Sequence, residues 1–116
     1  MAKLILPWLF SNQFLEKENY VEAFISSIVY DPHPQSSIDQ KRQLDALIKT
    51  DLRGELAQIN CDTLIISSNE DLLTPPFINK EIITFIKNSK LVNIPGGHVS
   101  PIEQPDILSQ TILNFL

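Results

Sequence analysis

At 116 residues, 43% of them hydrophobic and 20% charged, the chain is one domain's worth of polypeptide or part of a larger one, with enough apolar side chain for a core. Nine Lys and Arg against fourteen Asp and Glu give a net charge of −5 with no basic stripe, which argues against nucleic acid as a partner. The single cysteine, Cys61, excludes a disulfide framework and a thiolate metal site and makes a reducing cytoplasm the expected location.

After Met1-Ala2-Lys3, the apolar stretch at residues 4–10 is interrupted by Pro7 and is too short to span a bilayer, so no membrane role is expected. Asn19 and Glu22 have the spacing of a capping box. Beyond them Tyr20, Phe24 and Ile28, flanked by Val21, Ile25 and Val29, predict an amphipathic helix with a wide apolar face. Asp31-Pro32-His33-Pro34 ends it, because neither proline can donate to a helix ladder and each restricts its predecessor. Ser37 and Gln40 suggest a second cap, ahead of a helix carrying Ile38, Leu44, Leu47 and Ile48 to about Thr50. Residues 51–58 read as one more short helical turn.

From about residue 60 the pattern alternates. Residues 63–67 form a continuous apolar run of the kind found in a strand covered on both faces. Thr74 can cap a helix with Pro75 at its first position, and Ile78, Ile82, Phe85 and Ile86 give that helix an inward stripe. Residues 90–94 form a second strand, and Pro105 with Asp106 opens a last helix bearing Leu108, Ile112, Phe115 and Leu116. The expected fold class is therefore α/β: helices over residues 1–60, then a strand–helix–strand–helix parallel unit with a right-handed crossover over residues 61–116. Two parallel strands do not make a sheet that stands alone. Their unpaired edges invite another strand. The chain is expected either to belong to a larger protein or to assemble with itself or a partner.

Two residues stand where open α/β sheets put their chemistry, just past the ends of the two strands. Asp71 can be a helix-capping turn residue, or an acid placed to orient a histidine. His98 follows Pro95-Gly96-Gly97, whose glycines permit a sharp turn back over the sheet edge; the plainer alternative is an ordinary loop histidine. Taken together, an acid after one strand and a histidine after the next suit an imidazole held in one tautomer for general-base work. His33, between two prolines, reads as a solvated loop residue, and Cys61, before the first strand, as a small buried core residue. Glu103 is expected to face the dipole of the last helix. Asp71, His98 and Glu103 lack any metal-ligand spacing, so no metal or other cofactor is expected.

None of the ten serines lies in a glycine-flanked strand-to-helix turn, and Gly-x-Ser-x-Gly is absent. Only Gly54, Gly96 and Gly97 are available, so a glycine-bearing oxyanion loop is missing too.

The run from Cys61 to Leu116 resembles the C-terminal end of α/β-hydrolase fold enzymes, in particular bacterial hydrolases of the 3-oxoadipate enol-lactonase and carboxylesterase type. Thr63-Leu64-Ile65-Ile66 with Asp71 and Thr74-Pro75-Pro76 looks like their acid-bearing strand end. Pro95-Gly96-Gly97-His98 with Pro101, Glu103 and Pro105 looks like their histidine loop. The stretch from Pro7-Trp8-Leu9-Phe10-Ser11 to about Ile59 is similar to the helical cap and its return to the core. Ser68 stands where family members usually have Gly, and the family's N-terminal strands, oxyanion loop and nucleophile elbow have no counterpart.

The resemblance implies that Asp71 is a triad acid and His98 its general base, in a fragment of a serine hydrolase for carboxylic esters, lactones or thioesters that is inactive alone. Haloperoxidases and dehalogenases share similar ends. The expected partners are a complementing N-terminal hydrolase segment or a second copy of the chain. The alternative function is a non-catalytic, oligomerising or partner-binding module derived from a truncated hydrolase.

Overall fold

A computed structural model describes residues 2–116; Met1, which leads into the first apolar stretch, lies outside them. The apolar stretch at the start forms helix α1 (Ala2–Leu9), in which Pro7 removes one rung of the ladder. A single-turn helix α2 (Asn12–Leu15) comes next, capped by the Ser11 side chain, which accepts from the Phe14 amide. Helix α3 (Glu18–Val29) then packs back on α1.

The capping box at Asn19 and Glu22 does not form. Lys17 occupies the cap without a side-chain bond, so the helix starts two residues earlier than a cap at Asn19 would place it. Helix α4 (Ser37–Lys49) is capped by Ser36, one residue before the position expected, with Asp39 rather than Gln40 answering it. A 3₁₀ turn (Leu56–Gln58) completes the helical part.

The strands are β1 (Thr63–Ser68) and β2 (Ser89–Ile94), joined through helix α5 (Pro76–Phe85). They pair in parallel, with Thr63 opposite Ser89 and Ser68 opposite Ile94. Thr74 does not cap α5: Pro75 takes that place, and the threonine turns to Asp71 instead. Helices α6 (Ser100–Glu103) and α7 (Pro105–Leu113) close the chain, with Phe115 and Leu116 beyond the last helical residue. No helix among the described residues is long and apolar enough to cross a membrane.

The core is not centred on the sheet. Leu6, Phe10 and Phe14 are buried together, with Val21, Phe24, Ile25 and Val99 packed around them. The Phe10 and Phe14 rings stack at 4.7 Å, and Phe24 meets Phe10 edge-on at 4.8 Å, both favourable arrangements for aromatic quadrupoles. Val99 belongs to the loop after β2, so this cluster joins the first helices to the histidine loop.

Elsewhere the apolar stripes read from the sequence lack cover. Tyr20, Ile38, Leu44, Leu47 and Ile48 are exposed. Leu64, Ile65 and Ile66 of β1 are only half-buried, where a strand covered on both faces was expected. Cys61 is exposed, not a core residue, because it precedes the strand in a bend that nothing covers. The accessible surface is 8740 Å², against about 6,400 Å² for a folded monomer of this mass.

Candidate active site

The parallel register brings the ends of β1 and β2 side by side, and backbone pairing continues beyond the strands. The Asn69 amide donates to the Ile94 carbonyl at 3.0 Å, and the Glu70 amide donates to the Gly96 carbonyl at 3.0 Å. The turn carrying Asp71 and the loop carrying His98 are thus laced together before either side chain is placed.

Asp71 is buried, and its turn wraps around the carboxylate. Oδ1 accepts from the amides of Leu73 and Thr74, both at 2.9 Å, and Oδ2 accepts from the Thr74 hydroxyl at 2.7 Å. His98 Nδ1 lies 3.0 Å from Oδ2 and 3.2 Å from Oδ1. Burial pushes the Asp71 carboxyl up, but the amide and hydroxyl of Thr74, the His98 ring and the Leu73 amide outweigh it and hold the group below its ordinary value. An ionised carboxylate beside Nδ1 favours the tautomer that carries its proton there and leaves Nε2 with a free lone pair. The His98 side chain is 38% exposed.

The glycines before His98 serve two different needs. Gly96 has φ +113°, where a side chain would be strained. Gly97 is needed for room rather than for conformation. A Cβ there would sit 2.7 Å from the Leu9 carbonyl oxygen and the Phe10 carbonyl carbon, and 2.8 Å from the Ser11 nitrogen.

The backbone between α1 and α2 therefore lies directly against the histidine loop, and Glu103 fastens the contact. Contrary to expectation, its buried carboxylate does not serve the start of α7. Oε1 accepts from the amides of Ser11 and Gly97, both at 2.9 Å, and Oε2 accepts from the Ser11 hydroxyl at 2.5 Å. Sequence reasoning missed this role. The signal available was a carboxylate five residues after a Gly-Gly-His turn, and its partner, Ser11, lies 92 residues away in sequence.

Asp71 and His98 are thus brought together. His33 is exposed in the loop after α3, where its amide donates to Asp31. Among the described residues no group of three His, Cys, Asp or Glu side chains could hold a metal ion.

The fold of this chain has counterparts among solved proteins. The structure of BpoC from Mycobacterium tuberculosis, a non-heme bromoperoxidase by name, superposes on 98% of this chain with a TM-score of 0.83 and 26% identity. That alignment takes in 42% of BpoC. The chain carries part of an α/β-hydrolase fold. The enol-lactonase of Burkholderia xenovorans matches 98% of the chain at a TM-score of 0.80 and 27% identity, over 43% of its own length. In sequence, RutD of Klebsiella pneumoniae, a carbamate hydrolase by name, is 37% identical over 82 residues, 70% of this chain and 30% of RutD. The chain spans about a third of the length of the curated relatives it matches. No protein-family model matches it.

Proposed function

We propose that this α/β-hydrolase segment supplies the acid and the general base of a serine-hydrolase site, with Asp71 orienting His98 for proton transfer at Nε2. The observation that carries this reading is the 3.0 Å approach of His98 Nδ1 to the Asp71 carboxylate at the C-terminal ends of two parallel strands. The acid is held by three further donors and so stays ionised, while the histidine side chain is partly exposed. The substrate class is carboxylic esters, lactones or thioesters, in keeping with relatives named for enol-lactone and carbamate hydrolysis.

An acid–base pair has nothing to activate without a nucleophile, and these 116 residues contain no Gly-x-Ser-x-Gly. The nucleophile and the oxyanion donors come, in this reading, from a complementing hydrolase segment that covers the open side of β1. The surface area supports a missing cover. The excess over a folded monomer is about 2,300 Å², which is the scale of an obligate interface rather than of a passing contact.

The test is hydrolysis of an activated aryl ester by the purified 116-residue chain. The expected result is no turnover above the His98→Ala variant. Robust, pH-dependent turnover that this substitution abolishes would overturn the need for an outside nucleophile.

A second reading, favoured by the same exposed area and strand edge, is a non-catalytic module that associates with itself. Sedimentation separates the two. A concentration-dependent dimer that gains no ester turnover supports the module, and a monomer across a wide concentration range counts against it.

A further inference from the structure

The imidazole of His98 is held by one polar group, the Asp71 carboxylate; no other hydrogen bond to the ring is present among the described residues. Its orientation therefore rests on the backbone that presents it. That backbone is gripped on both sides. The Gly97 amide, just before the histidine, donates to Glu103 Oε1 at 2.9 Å. The Val99 amide, just after it, donates to the Leu9 carbonyl at 3.1 Å.

Glu103 is the piece that makes the two grips one. A single buried carboxylate oxygen takes amides from both the histidine loop and the α1–α2 turn, while its second oxygen takes the Ser11 hydroxyl. Ser11 Oγ in turn accepts from Phe14 and so is itself fixed by helix α2. An acceptor with one lone-pair direction could not serve these donors together. A carboxylate can, and amides and a hydroxyl converging on it form charge-assisted bonds that are shorter and stiffer than neutral ones.

We propose that Glu103, latched to Ser11, is the positioning residue for His98: it sets the loop so that Nδ1 meets Asp71 and the ring keeps the base tautomer. This rests on the reading of Asp71 and His98 as an acid–base pair. A purely structural anchor would hold α1 and α2 to the strands without bearing on which ring nitrogen carries the proton.

The chain has only two histidines, and His33 is an exposed loop residue that serves as an internal reference. Nitrogen-15 NMR of the histidine-labelled full chain, recorded well above the ordinary imidazole range, reads the tautomer of each ring directly. In the unaltered protein His98 is expected to hold its proton mainly on Nδ1, against the Nε2-dominated mixture at His33.

Ser11→Ala is expected to lower the Nδ1–H to Nε2–H ratio at His98 by about threefold, and Glu103→Ala by about tenfold, the range set by losing one or more hydrogen bonds. Glu103→Gln, which keeps one carbonyl acceptor, should restore part of that loss. Asp71→Asn removes the preference altogether.

A His98 signal like that of His33 in the unaltered protein overturns the acid–base reading and the positioning role with it. A normal His98 signal that also survives in folded Glu103→Ala, with Asp71→Asn still abolishing it, overturns the positioning role alone. Should Glu103→Ala fail to fold, Ser11→Ala and Glu103→Gln decide the matter by the same criterion.

Discussion

Replacing Gly97 with alanine tests the seam on which the site depends. The new Cβ would lie 2.7 Å from two backbone atoms of residues 9 and 10 and 2.8 Å from the Ser11 nitrogen, so the facing segment must retreat by about 0.7 Å to reach ordinary contact. Backbone atoms cannot swing aside as a side-chain tip can. Two bonds crossing this seam, Ser11 to Glu103 at 2.9 Å and Val99 to Leu9 at 3.1 Å, would stretch towards the limit of hydrogen bonding. Overpacking costs about 1–3 kcal/mol, and two weakened bonds add about 1–3 kcal/mol, giving roughly 2–6 kcal/mol in all.

With a urea slope of about 2 kcal/mol per M, the midpoint should fall by about 1–3 M. Gly54→Ala is the control, since a Cβ there meets nothing within 4 Å and its φ lies outside the left-handed region. It should leave the midpoint unchanged or raise it, by up to about 1 kcal/mol of stability. A Gly97→Ala stability within about 0.5 kcal/mol of the unaltered protein would refute the close approach of the two segments and the latch built on it.

The acid side of the stability profile should report Asp71. Its carboxyl is held below the ordinary value when folded, so its contribution is complete above about pH 5 and is lost as pH falls through that lowered value. Urea midpoints against pH should therefore separate the unaltered protein from Asp71→Asn above about pH 5 and converge as pH falls through the lowered value; a constant gap would contradict the assignment. Phe10→Ala removes a ring that is 2% exposed and stacked on Phe14, at a cost of about 3–5 kcal/mol, measurable as a drop in the same urea midpoint. In that variant hydrogen exchange should show α1–α3 losing protection ahead of β1 and β2, and an even loss across the chain would argue against a core seated in the first helices.

The parts of this protein legible in one dimension are those governed by local rules. Apolar runs bounded by prolines and small polar residues marked both strands and the helix between them, to within a residue or so at most ends. Asp71 and His98 could be singled out because parallel strands joined by one helix must end on the same edge, and each strand there gives way to a turn. The caps were less legible. Ser36 rather than Ser37 caps α4 because neighbouring residues of equal propensity compete, while Lys17 stands at the start of α3 against the better capping propensity of Asn19, which the structure here does not explain.

Tertiary structure alone decided how the histidine loop is held. Glu103 looked like a residue for the start of the last helix, because a nearby dipole is the only partner sequence can see. Its actual donors come from Ser11, at the far end of the chain, and from Gly97. Cys61 ended outside for the same reason: burial depends on what the fold brings over a residue, and here nothing arrives. Periodicity tells which way a side chain faces along its own element. A buried carboxylate shared between segments 92 residues apart has no periodicity, and only the folded chain brings its donors together.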